Sequence, residues 1–427
     1  MFIVNSFYYL KERPMITETE ARLLSFIDRD ELIGLTQDLV RIDSVIRPET
    51  GNTEAGVVRF IKAWIFRELG VDPLIEEVIP GRENIILTID SGKPGPCLMF
   101  EGHTDVVSEG NRDLWQHDPF GGEIEDGKIY GRGACDMKAG LAVNLLTVKA
   151  MMKSKVDFKG KMRLGIVCDE EEFMIGIQDY IKRGHADDVD ACLVSEPEEN
   201  QLCISMKGAL RAIVRVKGKM AHGAMPLTGI NTNVRLARII LAFDAFEKVE
   251  IKRCGKDEFL GWPSVTFTVV QTPPPGEPLQ LNVMPSESIA YLDIRTTPCQ
   301  DHGKIRQQLK EILDQLAQDD PDFCAQIEFI ADKPVVSMER DEPIVRAAAG
   351  AYKDITGKDP VYNGVPGATD GTFLRDLKGI PSLVNGPGPR HMPHQTDEYV
   401  EIQELFESLQ IYLLSTLRYL NGIIDTK

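Results

Sequence analysis

"LMFEGHTDVV", residues 98–107, is an apolar run that stops abruptly on a histidine and an aspartate. Leu98, Met99 and Phe100 read as a short strand bound for the interior, yet it ends at His103 and Asp105, polar groups that are costly to bury unpaired. A strand end entering a solvated loop accounts for one such fragment, because these residue types sit mostly at surfaces. The neighbouring segments repeat the pattern. "NIILTI" (84–89), "PCLMFEGH" (96–103), "KMRLGIVCDEE" (161–171) and "DACLVSEP" (190–197) are short runs rich in Ile, Leu and Val, separated by helical segments such as 138–153 and 175–183. Strands alternating with helices imply an α/β layered core. Three of the four runs end in His, Asp or Glu.

Working outward, residues 17–43 place Leu23, Leu24, Ile27, Leu32, Leu35, Leu39 and Ile42 at helical spacing, with a kink expected around Asp28 to Asp30. "NTEAGVVRFIKAWIFRELG" (52–70) reads as a second helix, capped by Asn52 or Thr53 and closed by Gly70. From about residue 208 the style changes. Strand "ALRAIVRVKG", helix 231–248, strands "SVTFTVVQT" and "ESIAYLDIRTT", helix 303–318 and strand "AQIEFIA" follow the order β-α-β-β-α-β of a split βαβ sandwich. Helix 342–355, strand "IPSLVNG" and the amphipathic segment 397–421 then resume the first style. The expected architecture is an outer mixed α/β domain of residues 1–207 plus 326–427, interrupted by a ferredoxin-like α+β insert of residues 208–325. "QTPPPGEP" (271–278) lies between two strands of the insert and reads as a loop.

The chain has 427 residues, 43% of them hydrophobic, which exceeds the usual size of one domain. Its 48 basic and 66 acidic residues give a net charge of −18. That balance argues against a nucleic-acid or anionic-membrane surface and suits cation binding. Eight scattered cysteines without a CxxC pair fit reduced thiols in a cytoplasm. The opening "MFIVNSFYYLKERPM" has no basic region before its apolar stretch, no small-residue cleavage site and too few apolar residues to span a membrane. It reads as a short arm, with Met15 as an alternative start just ahead of the first helical pattern.

Open α/β sheets place ligands outside the carboxyl ends of their strands. There the sequence gathers His103 and Asp105, the run Glu170, Glu171 and Glu172, and Glu196. Asp136 stands in "GRGACDMKAG", a Gly-rich turn entering a helix, and His394 lies in "PHQTDEY". Mixed imidazole and carboxylate donors suit zinc, with Mn²⁺ or Co²⁺ as substitutes, and so many carboxylates invite more than one ion. Each fragment alone has a plainer reading. "GRGACD" resembles a phosphate loop, but a carboxylate at the required glycine repels phosphate. "DEEEF" alone is a solvated acidic turn, and His394 alone a surface histidine.

Together, "GHTDVV", "YGRGACDMKAG", "DEEEFMIG", "SEPE", "MAHGAMP", "NVMPSESIAYLDIR", "GATDGTFL" and "PHQTDEYV" resemble, in order and spacing, the M20 metallopeptidase and deacylase family. That family includes acetylornithine deacetylase, succinyl-diaminopimelate desuccinylase, aminoacylase-1 and the glutamate carboxypeptidases. The resemblance runs from about residue 20 onward. It implies a zinc-aminopeptidase-like catalytic domain carrying an inserted lid and dimerisation domain. It makes Asp136 the carboxylate bridging two zinc ions, with His103 and Glu196 on one and Glu171 and His394 on the other. Asp105 would accept the second N–H of His103. Glu170 would be the general base, in the register set by the family's Asp-Glu-Glu pattern from Asp169. His222 would donate to the oxyanion in the partner subunit of a homodimer, although a polar loop histidine is the plainer alternative. Arg295 fits a clamp for a substrate carboxylate, and Asn282 and Gly367 match positions lining the acyl pocket. His117, His185 and His302 are expected to be structural or surface groups without partners.

The implied function is hydrolysis of the amide bond of a small N-acyl amino acid. A dipeptidase or carboxypeptidase with the same mechanism is the nearest alternative, and a non-catalytic metal-binding module is an alternative of another class. The desuccinylase pattern has two adjacent basic residues before the lid glycine, whereas this chain has Met206, Lys207 and Gly208. That departure leans toward a smaller acyl group or a different amino acid. A nucleotide-dependent oxidoreductase fails for want of a GxGxxG loop.

Overall fold

The computed structural model describes residues 16–423, so the opening arm and Met15 lie outside the described residues. Among the described residues, contacts divide the chain into two compact units, residues 16–204, 338–363 and 369–423 in the first, and 205–337 with 364–368 in the second.

The first unit is built on a mixed sheet. Seven of its nine strands run in the spatial order Leu74–Ile79, Arg82–Asp90, Lys161–Val167, Cys97–His103, Ala191–Pro197, Ser382–Gly386 and Leu202–Met206. The four from Lys161–Val167 to Ser382–Gly386 are parallel, so their carboxyl ends share one edge. Every residue of Cys97–His103 is buried, as expected for a central parallel strand covered on both faces. Helix Lys138–Ser154 is among the elements packed on it, and fourteen of that helix's residues are buried. One glycine sets the closest approach: a Cβ on Gly140 would lie 2.1 Å from the Ser195 carbonyl oxygen, so the helix that follows Asp136 can rest directly on the strand that carries Glu196.

The expected kink at Asp28 is a full break. Helices Glu18–Leu24 and Arg29–Val40 are separate, and the Asp28 carboxylate caps the second through the N–H groups of Asp30 and Glu31. The next helix starts at Ala55 with Glu54, not Asn52 or Thr53, at its cap position, although the Thr53 hydroxyl accepts from the Ala55 N–H at 3.3 Å. Glu54 is instead drawn inside by Arg82, and Gly70 closes the helix in the left-handed conformation as expected.

In the second unit four antiparallel strands lie in the order Ser264–Gln271, Glu287–Thr296, Gly208–Lys217, Cys324–Lys333. Helices Thr232–Cys254 and His302–Gln318 cover one face, closing a core of Leu210, Val214, Leu236, Phe243, Leu292 and Leu309 among others. This is the split βαβ order. The unit extends past the boundary expected at residue 325, because Cys324–Lys333 pairs along Gly208–Lys217 from Cys324 opposite Lys217 to Lys333 opposite Ala209.

The expectation of reduced thiols fails at one place. Cys254 and Cys299 are joined by a disulfide with their Cα atoms 5.5 Å apart. The helix that was expected to end at 248 runs on to Cys254, which brings the two thiols together. Cys97, Cys135, Cys168, Cys192, Cys203 and Cys324 are free. Among the described residues no helix is long and apolar enough to cross a membrane.

Candidate metal centre

At the shared carboxyl edge of the first unit's sheet, five distant segments converge. His103 is the last residue of its strand and Glu196 lies one residue before the end of Ala191–Pro197. Glu171 follows Lys161–Val167 in a tight turn, Asp136 stands just ahead of helix Lys138–Ser154, and His394 precedes strand Tyr399–Glu401. His103 Nε2 lies 3.2 Å from Asp136 Oδ1 and 3.5 Å from Glu196 Oε1. His394 Nε2 lies 3.5 Å from Asp136 Oδ2 and 3.0 Å from Glu171 Oε2. Two trios result, His103/Asp136/Glu196 and Asp136/Glu171/His394, each with its ligand atoms within 4.8 Å of one another. Asp136 belongs to both, one oxygen turned to each histidine.

The electrostatics are those of a site short of positive charge. Burial pushes Glu196 up to about 8, and the Asp136 charge adds to it. Glu170 is raised well above the ordinary carboxyl range by burial and then by Glu196. Burial raises Glu171 too, with Asp136 adding. Burial also pushes Asp136 upward, but hydrogen bonds with His103 and His394 outweigh it and hold that carboxyl low. His394 rises to about 10 through its hydrogen bonds to Asp136 and Glu171. Glu171 Oε1 is buried without a hydrogen-bond partner, which is costly unless a cation takes it. Two imidazoles and three carboxylates, one of them shared, are the donor set that a pair of divalent ions of the zinc type takes.

The groups that hold these donors are partly new. His103 Nδ1 is 3.0 Å from the Asp105 backbone carbonyl and 3.5 Å from its carboxylate, so the ring is oriented chiefly by main chain. The Asp105 carboxylate also accepts from the N–H groups of Glu170 and Glu171, at 3.2 Å each, and thereby sets the turn that carries both glutamates. Asp169 begins that turn at φ 66°, a left-handed conformation that Asp tolerates. Arg82 clamps it from behind, with Nη1 2.5 Å from Asp169 and its Nε on Glu54 at 2.8 Å.

On the other side Glu398 accepts from the N–H groups of Cys135 and Asp136, both at 2.9 Å, and pairs with the buried Arg132, whose Nη2 lies 3.4 Å from the His394 carbonyl. Glu398 and Arg132 sit inside "PHQTDEYV" and "GRGACD", so the motifs contained them although their roles were not read. Arg82 and Glu54 carried no comparable signal. Glu101, two residues before His103, is buried against Asp370, and the pair raises the Glu101 carboxyl after burial itself.

The remaining predicted residues belong to the second unit. His222 lies opposite Val283 in a two-residue strand pair, and Gly223 N–H donates to the Asn282 carbonyl at 2.7 Å, so His222 and Asn282 are neighbours. His222 Nδ1 accepts from Ala224 N–H at 3.0 Å. That bond places the ring proton on Nε2. Arg295 makes a two-pronged pair with Asp293, at 2.7 and 3.1 Å, and faces Gly367. Contrary to expectation, His117, His185 and His302 have partners: His117 bonds Glu125 at 2.9 Å, His185 bonds Glu76 at 2.7 Å, and His302 lies between Thr296 and Asp332.

Comparison with known proteins follows the same lines. The model of peptidase family M20/M25/M40 matches residues 99–417. The chain is 25% identical over 410 residues to the probable succinyl-diaminopimelate desuccinylase of Staphylococcus epidermidis, covering 91% of this chain and 98% of that protein. The structure of an M20 family metallo-carboxypeptidase from Sulfolobus solfataricus aligns at a TM-score of 0.76 with 19% identity, covering 92% of this chain and 99% of that one. The di-peptidase Dug1p of Saccharomyces cerevisiae aligns at 0.74 with 17% identity, over 95% and 98%.

Proposed function

The chain belongs to peptidase family M20/M25/M40 and is a hydrolase of that family, and from this premise we propose that it removes the acyl group from a small N-acyl amino acid by hydrolysing the amide bond at a pair of zinc ions. The observation that carries the reading is the shared carboxylate: Asp136 reaches both His103 and His394, so two ligand trios have one acid in common. His103 and Glu196 would hold one ion and Glu171 and His394 the other, with Asp136 between; Co²⁺ or Mn²⁺ would substitute. When bound, such ions make a water acidic near neutral pH and polarise a carbonyl oxygen.

Glu170 does the proton work. It is buried, it has its carboxyl raised, and it adjoins the ligand Glu171, so it takes the proton of the attacking water and hands it to the departing amine. Asp105 fixes its backbone. His222, with its proton on Nε2 and its side chain exposed, would donate to the developing oxyanion, in the partner subunit of a homodimer formed through the second unit. Arg295 would hold a substrate carboxylate, and Asn282 and Gly367 would line the acyl pocket.

The deciding experiment is a hydrolysis screen of the zinc-loaded protein against N-acetyl, N-succinyl and N-formyl amino acids beside simple dipeptides. Turnover of the acylated amino acids, abolished by a strong chelator and restored by Zn²⁺ or Co²⁺, is expected. Turnover of dipeptides alone would replace the deacylase reading with the peptidase one, and activity that survives complete metal removal would end both.

A further inference from the structure

Gly208 pairs with Thr296 at the end of the ladder between Gly208–Lys217 and Glu287–Thr296, and Arg295 pairs with Ala209 on the next rung. Lys207 therefore stands two residues ahead of the partner of Arg295. Long side chains reach one another across such a diagonal. The rung is tightly built. A Cβ on Gly208 would lie 2.2 Å from Thr296 Oγ1, 2.7 Å from Val335 N and 2.9 Å from His302 Nε2. Thr296 Oγ1 is 2.7 Å from His302 Nε2, and Nδ1 of that ring is 2.6 Å from Asp332 Oδ1, so a carboxylate, an imidazole and a hydroxyl lock the end of the ladder.

Lys207 is tied at both ends. Its N–H donates to the Val365 carbonyl at 3.1 Å and its ammonium to the Trp262 carbonyl at 2.6 Å. An ammonium has three donors, so the Trp262 bond uses one of them. Arg295 directs Nε and Nη2 to Asp293, while its Nη1 lies 4.0 Å from where a Cβ on Gly367 would stand, so this nitrogen faces a residue without a side chain.

The counter-charge is thin. Asp293 also has Arg211 at 3.8 Å, and Asp257 is the carboxylate that acts on Lys207. Burial, and after it the Arg295 charge, hold the Lys207 ammonium below its ordinary value. Two cations set on one diagonal of the ladder repel each other, and an anion that bonds both relieves them.

We propose that Lys207 is a specificity-determining residue, forming with Arg295 a two-cation seat for a carboxylate of the substrate. The seat rests on the amide-hydrolase reading above for the identity of the molecule that brings the carboxylate. That carboxylate comes from the acyl chain or from the amino acid, and the two sources are separable. N-succinyl amino acid amides carry only the first, and N-acetyl amino acids carry only the second.

The test compares KM and kcat for both substrate types in the zinc-loaded wild type, Lys207→Met and Lys207→Arg. Removing one charged hydrogen bond should raise KM about tenfold for the type whose carboxylate is seated, with the loss falling on KM and with Lys207→Arg retaining most of the affinity. Equal KM values in the wild type and Lys207→Met for both types overturn the seat. Calorimetric titration with free succinate, compared with succinamide, gives a readout that needs no turnover. Succinate affinity that drops in Lys207→Met supports the seat even if no substrate is hydrolysed, an outcome that would sink the hydrolase reading alone. Succinate that fails to bind the wild type, or that binds both proteins equally, overturns the seat.

Discussion

Strand Cys97–His103 of the first unit and strand Glu287–Thr296 of the second use polar residues in opposite ways. The first is parallel, buried at every position, and holds its chemistry at one end, where His103 meets Asp136 and Glu196. The second is antiparallel, and its burial alternates over its second half, with Tyr291, Asp293 and Arg295 on one face and Leu292 and Ile294 in the core. A parallel strand buried on both faces can carry an ionisable group along its length only against a buried partner, as Glu101 does beside Asp370, and otherwise places such groups where the sheet stops. An antiparallel strand with one open face can carry charges along its length. Polar groups in the first unit must therefore be matched to one another or to a cation, whereas those in the second are matched partly by solvent.

The contrast breaks most visibly at Glu170. Glu170→Ala should retain bound metal, measured by elemental analysis, while turnover falls about a thousandfold, within the usual worth of a positioned acid–base group. Unchanged turnover would remove Glu170 from the mechanism. Arg82→Ala strips the partner from buried Glu54 and loosens Asp169, and denaturant unfolding should show a loss of about 3–5 kcal/mol, the cost of an uncompensated buried charge. A loss below about 1 kcal/mol would mean that water enters and pairs Glu54.

In the second unit, Leu309→Ala should cost about 2–5 kcal/mol by cavity formation, without changing metal content, because Leu309 is buried in the helix-covered core. Metal lost in that variant would show that the two units are not energetically separate.

The smallest effect is one of sign. Glu196 at about 8 and His394 at about 10 both stand above their ordinary values, so the folded metal-free chain holds protons that the unfolded chain releases. Stability of the metal-free protein should then fall as pH rises from about 5, the Glu196 share lost by about pH 8 and the His394 share by about pH 10. Metal, which displaces those protons, should reverse the trend. A Tm of the metal-free protein that rises over that range would contradict the charge assignment.

The same contrast explains what the sequence disclosed. Strand ends in the first unit stood out because an apolar run cannot meet His103, Glu171 or Glu196 without a reason, and the βαββαβ order of the second unit followed from its alternating runs. The holding residues were less legible. Glu398 and Arg82 act through backbone N–H groups and buried ion pairs between segments far apart in the chain, and no local spacing marks such a partner. Asp105 was read only as a partner of the His103 ring, whereas its carboxylate also holds the turn of Glu170 and Glu171, because residue type fixes what a group can donate or accept but not everything it faces. The disulfide escaped for a similar reason: Cys254 and Cys299 meet only once the helix is six residues longer than its periodicity suggested.

Arg132 and Glu398 are 266 positions apart. The ribosome therefore completes Cys135, Asp136 and their loop long before it supplies the carboxylate that anchors them, and strand Ser382–Gly386, which sits inside the sheet rather than at its rim, is also made late. A nascent chain stalled before residue 394 already has His103, Asp136 and Glu196 but only Asp136 and Glu171 of the second trio, so that second trio is completed only by the closing segment.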